Sequence, residues 1–253
     1  MNKSGVLLLA ALLLPLWAAA QFSPTAHDAR NGAMGGCHIL PSDSGAYAVI
    51  AWRQGYMTQG MATRNIVAGT PLGRVASLHG RYSYFGDADY HEQQGAMACG
   101  IRVAPWLTAA VYGLYSNIGT SDAHYRQQHW LDGGVVVQLV ENKPVAHGGG
   151  YFAVGSRTWD TNRPVGFVVG LTYRPVSELL TVVELASEER MRLHCGAEYA
   201  YGNRWFARAG LSTSPLVVTF GVGCRNNHYH IDLGTEVHPV LGLSPQISLG
   251  VCL

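Results

Sequence analysis

From about residue 44 onward, apolar and polar positions alternate with period two. The last eight residues, Gln246 to Leu253, place Ile247, Leu249, Val251 and Leu253 on one face and Ser248, Gly250 and Cys252 on the other. The segment before them sets Ile231, Leu233, Thr235 and Val237 against His230, Asp232, Gly234, Glu236 and His238. Such alternation predicts strands with one greasy side. Fourteen of them are read, near 44–52, 61–69, 75–84, 92–103, 106–117, 129–140, 145–155, 164–173, 178–186, 191–200, 204–212, 215–224, 228–237 and 245–253. A soluble sandwich also alternates. Segments of about nine to eleven residues parted by turn residues instead match strands tilted through a bilayer. Ala104-Pro105, Glu141 to Pro144, Arg174-Pro175, Gly202-Asn203 and Asn226-Asn227 fall at every second junction and read as periplasmic turns. The longer polar connections 85–91, 118–128 and 156–163 then lie outside. Dense glycine and β-branched residues without a sustained 3.6 period exclude long helices. The expected fold is all-β, an antiparallel transmembrane β-barrel of about fourteen strands, with twelve as the alternative.

The first twenty residues follow another rule. Lys3, the apolar run Val6 to Leu16 broken only by Pro15, and Ala18-Ala19-Ala20 before Gln21 have the form of a cleaved export signal. Residues 1–20 are thus expected to be signal peptide, 21–43 an N-terminal plug segment and 44–253 the barrel, in the outer membrane of a Gram-negative bacterium. Composition narrows the field further. The chain is 48% hydrophobic but only 13% charged, against roughly a quarter in a soluble domain. Without Lys3, 16 basic residues face 16 acidic ones, which leaves no electrostatic footprint for nucleic acid. Five scattered cysteines, Cys37, Cys99, Cys195, Cys224 and Cys252, form neither a disulfide framework nor a metal motif, and read as small residues packed on strands.

If the apolar face meets lipid, the inward set comprises Arg81, Arg102, Asp132, Glu184, Arg192, Glu198, Arg204, Arg208, Asp232 and Glu236, five basic and five acidic. Lone charges in a confined lumen are costly, so the balance predicts cross-strand pairs and a braced interior. Inward glycines such as Gly166, Gly170 and Gly234 leave room for a filler. Ala29 to Leu40, with Arg30 and Met34-Gly35-Gly36, does not alternate and is the candidate plug.

Motifs for chemistry are few. No GxSxG, HExxH or phosphate-binding glycine loop occurs, so no enzyme, metal or cofactor is expected. His228-Tyr229-His230 has the spacing of a chelate but no third ligand. His124 and His129 near Ser121 and Asp122 carry the barrel-hydrolase alternative, and polar loop composition explains them equally well. Tyr82, Tyr84, Trp106, Tyr112, Tyr115, Trp130, Tyr173 and Trp205 sit mostly near strand ends and read as interfacial girdles.

Several short motifs resemble a known family. Ala29-Arg30-Asn31-Gly32-Ala33-Met34-Gly35-Gly36, Pro41-Ser42-Asp43, Tyr82-Ser83-Tyr84-Phe85-Gly86 and the hairpin His238 to Pro245 resemble the PorV/PorQ-like outer-membrane proteins of Bacteroidota, within the wider FadL-type barrel group. The chain has Gly45-Ala46-Tyr47-Ala48 where those proteins carry Asn-Pro-Ala. The resemblance implies a fourteen-stranded barrel with an internal plug. It further implies a non-enzymatic role through protein partners in type IX secretion or another surface-assembly machine. Resemblance to the FadL-type group implies the alternative, a conduit for a small hydrophobic ligand. Outer-membrane lipid is the expected surrounding in either case.

Overall fold

A computed structural model describes residues 28–38, 45–104, 107–121, 128–142, 147–157, 167–187, 191–202 and 204–253. Residues 1–20, expected to be signal peptide, and Gly166, His124 and Asp122 lie outside them, as do the side chains of His129, Trp130 and Asp132. Fourteen antiparallel strands form one closed barrel in which each pairs with its sequence neighbours and β1 closes on β14. They are β1 (Tyr47–Gln54), β2 (Ala62–Leu72), β3 (Ala76–Gly86), β4 (Tyr90–Ala104), β5 (Leu107–Thr120), β6 (Gln128–Asn142) and β7 (His147–Arg157). The circuit continues with β8 (Phe167–Val176), β9 (Leu179–Ser187), β10 (Met191–Tyr201), β11 (Trp205–Ser212), β12 (Val217–Arg225), β13 (Tyr229–His238) and β14 (Gly242–Cys252). Closure leaves no strand edge unpaired, which is what a hydrocarbon surrounding demands.

Register fixes the two faces. Glu184, His194, Ser212 and Val217 lie along one line of partners, and Glu198, Arg208, Gly221 and Gly234 along another, so all face inward. The opposite parity carries Ile50, Ile66, Met97, Val111, Leu171, Val222 and Leu249, all large, apolar and exposed. Inside, Thr63, Asn65, Ser83, Ser116, Thr219, Ser244, Gln246 and Ser248 are buried. A wall apolar outside and polar inside is a core turned inside out, the arrangement of a barrel immersed in lipid. The helix content is small, and no helix among the described residues is long and apolar enough to cross a membrane.

The two mouths differ. At the end where β1 begins and β14 finishes, the connections are short: 73–75, 105–106, 143–146, 177–178, 202–204 and 226–228. The opposite end carries 55–61, 87–89, 121–127, 158–166, 188–190, 213–216 and 239–241. Tyr173, Tyr199, Tyr201, Trp205 and Tyr229 are exposed toward the short-turn end, while Tyr82 and Tyr115 are exposed toward the other. β14 begins three residues before the pattern suggests, because it runs on through Pro245. β1 pairs with β14 only as far as Gln246, so the missing proline N–H is asked of no neighbour.

Candidate functional site

Residues 28–38 lie inside the barrel against β9 to β14. They open with a single helical turn, α1 (Ala29–Ala33), capped by Asp28, whose Oδ1 accepts the Asn31 N–H at 2.7 Å. Burial pushes the Asp28 carboxyl up from its ordinary value, opposed by that N–H and by Arg30. The turn ends where Gly35 and Gly36 adopt φ of +79° and +77°, a region that favours glycine. Ala29, Ala33, Met34 and Cys37 are at most 1% exposed.

Close approach to the wall explains the small residues on both sides. A Cβ at Gly35 would stand 2.6 Å from the Cys195 carbonyl oxygen and 2.7 Å from that of Leu211. On the wall, a Cβ at Gly196 would stand 2.5 Å from Met34 O, one at Gly210 would stand 2.6 Å from Met34 C, and one at Gly221 would meet the Ala33 methyl. Gly196, Gly210, Gly221 and Gly234 thus form a side-chain-free track on β10 to β13 for backbone to lie on.

Polar contacts tie the segment to that track. Ala29 N–H donates to Ser248 Oγ at 3.3 Å, and Gly35 N–H donates to Thr219 Oγ1 at 3.0 Å. The Thr219 hydroxyl in turn donates to Ala33 O at 2.8 Å. Arg30 grips Glu198 with two bonds of 2.8 Å, from Nε to Oε2 and from Nη2 to Oε1. Glu198 Oε2 also accepts Arg208 Nε at 2.7 Å, and Arg208 Nη1 reaches Asp232 Oδ1 at 2.7 Å. Charges therefore alternate along Arg30, Glu198, Arg208 and Asp232. The last pair spans β12 because Gly223 stands between, where a Cβ would be 2.6 Å from Arg208 Nη1. Farther along, His38 meets Glu184 through its backbone N–H at 2.8 Å and its Nδ1 at 2.5 Å.

The ten charges read from the sequence divide accordingly. Glu184, Glu198, Arg208, Asp232 and Glu236 are inward and paired. Arg81 and Arg192 occupy inward register positions, and Asp132 holds such a position by backbone alone. Arg204 does not belong to the lumen. It shares the parity of Arg208 but falls in the turn before β11 and is exposed. Arg102 is also exposed, at the end of β4, where the register breaks between Arg102 and Ala104. Arg204 lies beyond the last paired residue of β11, whereas Arg102 still pairs with Thr108 at inward parity and opens to the short-turn mouth.

Sequence reasoning missed Arg53, which donates to Glu236 Oε2 at 2.5 Å while Gln246 Nε2 donates to Glu236 Oε1 at 2.8 Å. The alternation predicts a first strand ending at residue 52, one short of it, whereas β1 runs to Gln54. His38 and His194 were also missed, although His194 alternates with Arg192 and Glu198 on β10. At the other mouth, the Gly55–Met57 turn bends inward, and Tyr56 N–H donates to the inward Ser244 Oγ at 2.9 Å. No group of three potential metal ligands occurs among the described residues.

No family model matches the chain, and no curated protein matches it. Solved structures do. The Ralstonia pickettii toluene transporter TbuX superposes with a TM-score of 0.58 at 11% identity, covering 91% of this chain and 98% of that one. The Pseudomonas putida toluene transporter TodX superposes with a TM-score of 0.61 at 9% identity, covering 92% and 98%. The likeness is one of fold. It agrees with the closed antiparallel β-barrel read from the sequence and carries no narrower assignment.

Proposed function

We propose that this chain is a non-enzymatic outer-membrane barrel that admits small hydrophobic molecules, with residues 28–38 as the closure of its lumen. The observation that carries the reading is the docked segment. It lies on a glycine track inside a barrel whose fold is that of proteins named as toluene transporters. The polar inner wall and apolar outer wall support placement in the outer membrane. Export through a leader cleaved before Gln21 belongs to the same proposal, and the mass of the mature chain tests it. Uptake of radiolabelled toluene by cells expressing the chain should exceed that of cells without it. Uptake equal to the empty control would set the conduit aside.

The ion pairs and hydrogen bonds along the segment favour a second reading, a sealed barrel working through protein partners in type IX secretion or surface assembly, as the PorV/PorQ resemblance implies. Chains co-purifying from native membranes in mild detergent, together with no toluene uptake, would select it.

A further inference from the structure

The far end of the docked segment is held by a carboxylate and two imidazoles. Glu184 is fully buried and takes both the backbone N–H and the Nδ1 of His38. Its register partner His194 is 6% exposed and bonds Gly35 O through Nδ1 at 2.6 Å. A carbonyl oxygen only accepts, so this nitrogen carries the proton, and in the neutral ring Nε2 is a bare acceptor. That Nε2 is buried and has no hydrogen-bond partner among the described residues. A proton there would add a buried donor with no acceptor among the described residues. The His38 ring stands edge-on with its centroid 6.0 Å away.

The surrounding groups reinforce the point. His194 feels His38 from the segment, Glu184 from β9 and Arg192 from its own strand. Cys37, from the segment, faces Glu184 and Cys195, and burial pushes its thiol far up, so it stays neutral. The β11 register partner, Ser212, carries no charge, and neither does Thr219 on β12. Arg30, Glu198 and Arg208 form their own paired set farther along the segment.

We propose that His194 is a proton-sensitive clasp, holding Gly35 while neutral and releasing the lumen segment when acid protonates it. This names a regulation of the closure proposed above, and rests on that reading only for what passes through. The sign follows from linkage. Protonating His194 costs more with the segment docked than with it withdrawn, so docking is favoured above the ordinary imidazole pKa of about 6.5 and weakens as pH falls below it. His38 acts in the opposite sense, because its charged form is the better partner for Glu184. His38 and Glu184 are common to the two chains compared below, so their contribution cancels from the ratio that is read.

Cys37, a buried residue of the segment itself, reports release. In the full barrel with Cys99, Cys195, Cys224 and Cys252 changed to Ser, labelling of Cys37 by a soluble maleimide is compared with that in the same chain carrying His194→Asn. Asn keeps a donor for Gly35 O but does not titrate, and the thiolate fraction at each pH is common to both. Normalised at pH ~7.5, the ratio of rates with His194 to rates with Asn should climb toward roughly thirty at pH ~5. A flat ratio overturns the clasp, because a merely structural histidine would shift labelling alike at every pH. Should the variant not fold, the chain retaining His194 must show the same climb against an exposed reference thiol, Ser121→Cys, and no climb there overturns the proposal equally. Labelling reads the segment's position rather than permeation. A flat ratio with toluene uptake intact removes the clasp alone, and a climbing ratio without uptake keeps the clasp and removes the conduit.

Discussion

Glu198 accepts from two guanidinium groups at once, Arg30 from the lumen segment and Arg208 from the neighbouring strand, all largely out of water. Glu198→Leu therefore leaves two buried cations facing each other. Breaking such a pair typically costs about 3 kcal/mol or more, and urea titration of the refolded barrel should register a loss of that order. Unchanged unfolding would show that water inside the lumen already screens these charges. Arg208→Leu should also destabilise, by leaving Glu198 with Arg30 alone and Asp232 without the Arg208 bond. The double variant should lose less than the sum of the two, because both changes remove one shared interaction. Strict additivity would mean that the contact contributes nothing. These residues show how far alternation alone reaches. Parity placed Glu198, Arg208 and Asp232 on one face, but only register shows that Gly223 lets the last two meet across an intervening strand.

At the scale of elements, the wall glycines matter because backbone, not side chain, lies on them. Gly210→Val should expel the segment, since its side chain would occupy the space of Met34 and Gly35. Its overpacking cost of roughly 1–3 kcal/mol is relieved by undocking rather than by unfolding. The expected outcome is a barrel with unchanged far-UV circular dichroism in which Cys37 becomes reactive. Loss of the β spectrum would place Gly210 in the barrel's own stability instead. All fourteen strands were legible because lipid outside and polar groups inside impose a strict period of two. Their ends were less so, since alternation continues into turns at Arg204 and hides behind Pro245. The path of the segment was not legible: one helical turn and two left-handed glycines leave no periodic trace, and its contacts lie 146 to 219 residues away in sequence.

For the whole molecule, closure of β1 on β14 pairs every strand with two neighbours. The refolded protein should keep a β-dominated far-UV spectrum on heating in detergent, whereas a spectrum dominated by helix would contradict the architecture. Fourteen strands enclose more width than inward side chains from eight-stranded barrels need to fill, because diameter grows with strand number. What occupies that width decides the function, and the structure puts residues 28–38 there. The most direct measurement is ion conductance in planar bilayers, comparing the intact protein with one lacking residues 29–40. The intact protein should show little steady current and the deletion should open stable channels. Large, steady channels from the intact protein, or equal silence from both, would contradict the claim that this segment closes the barrel.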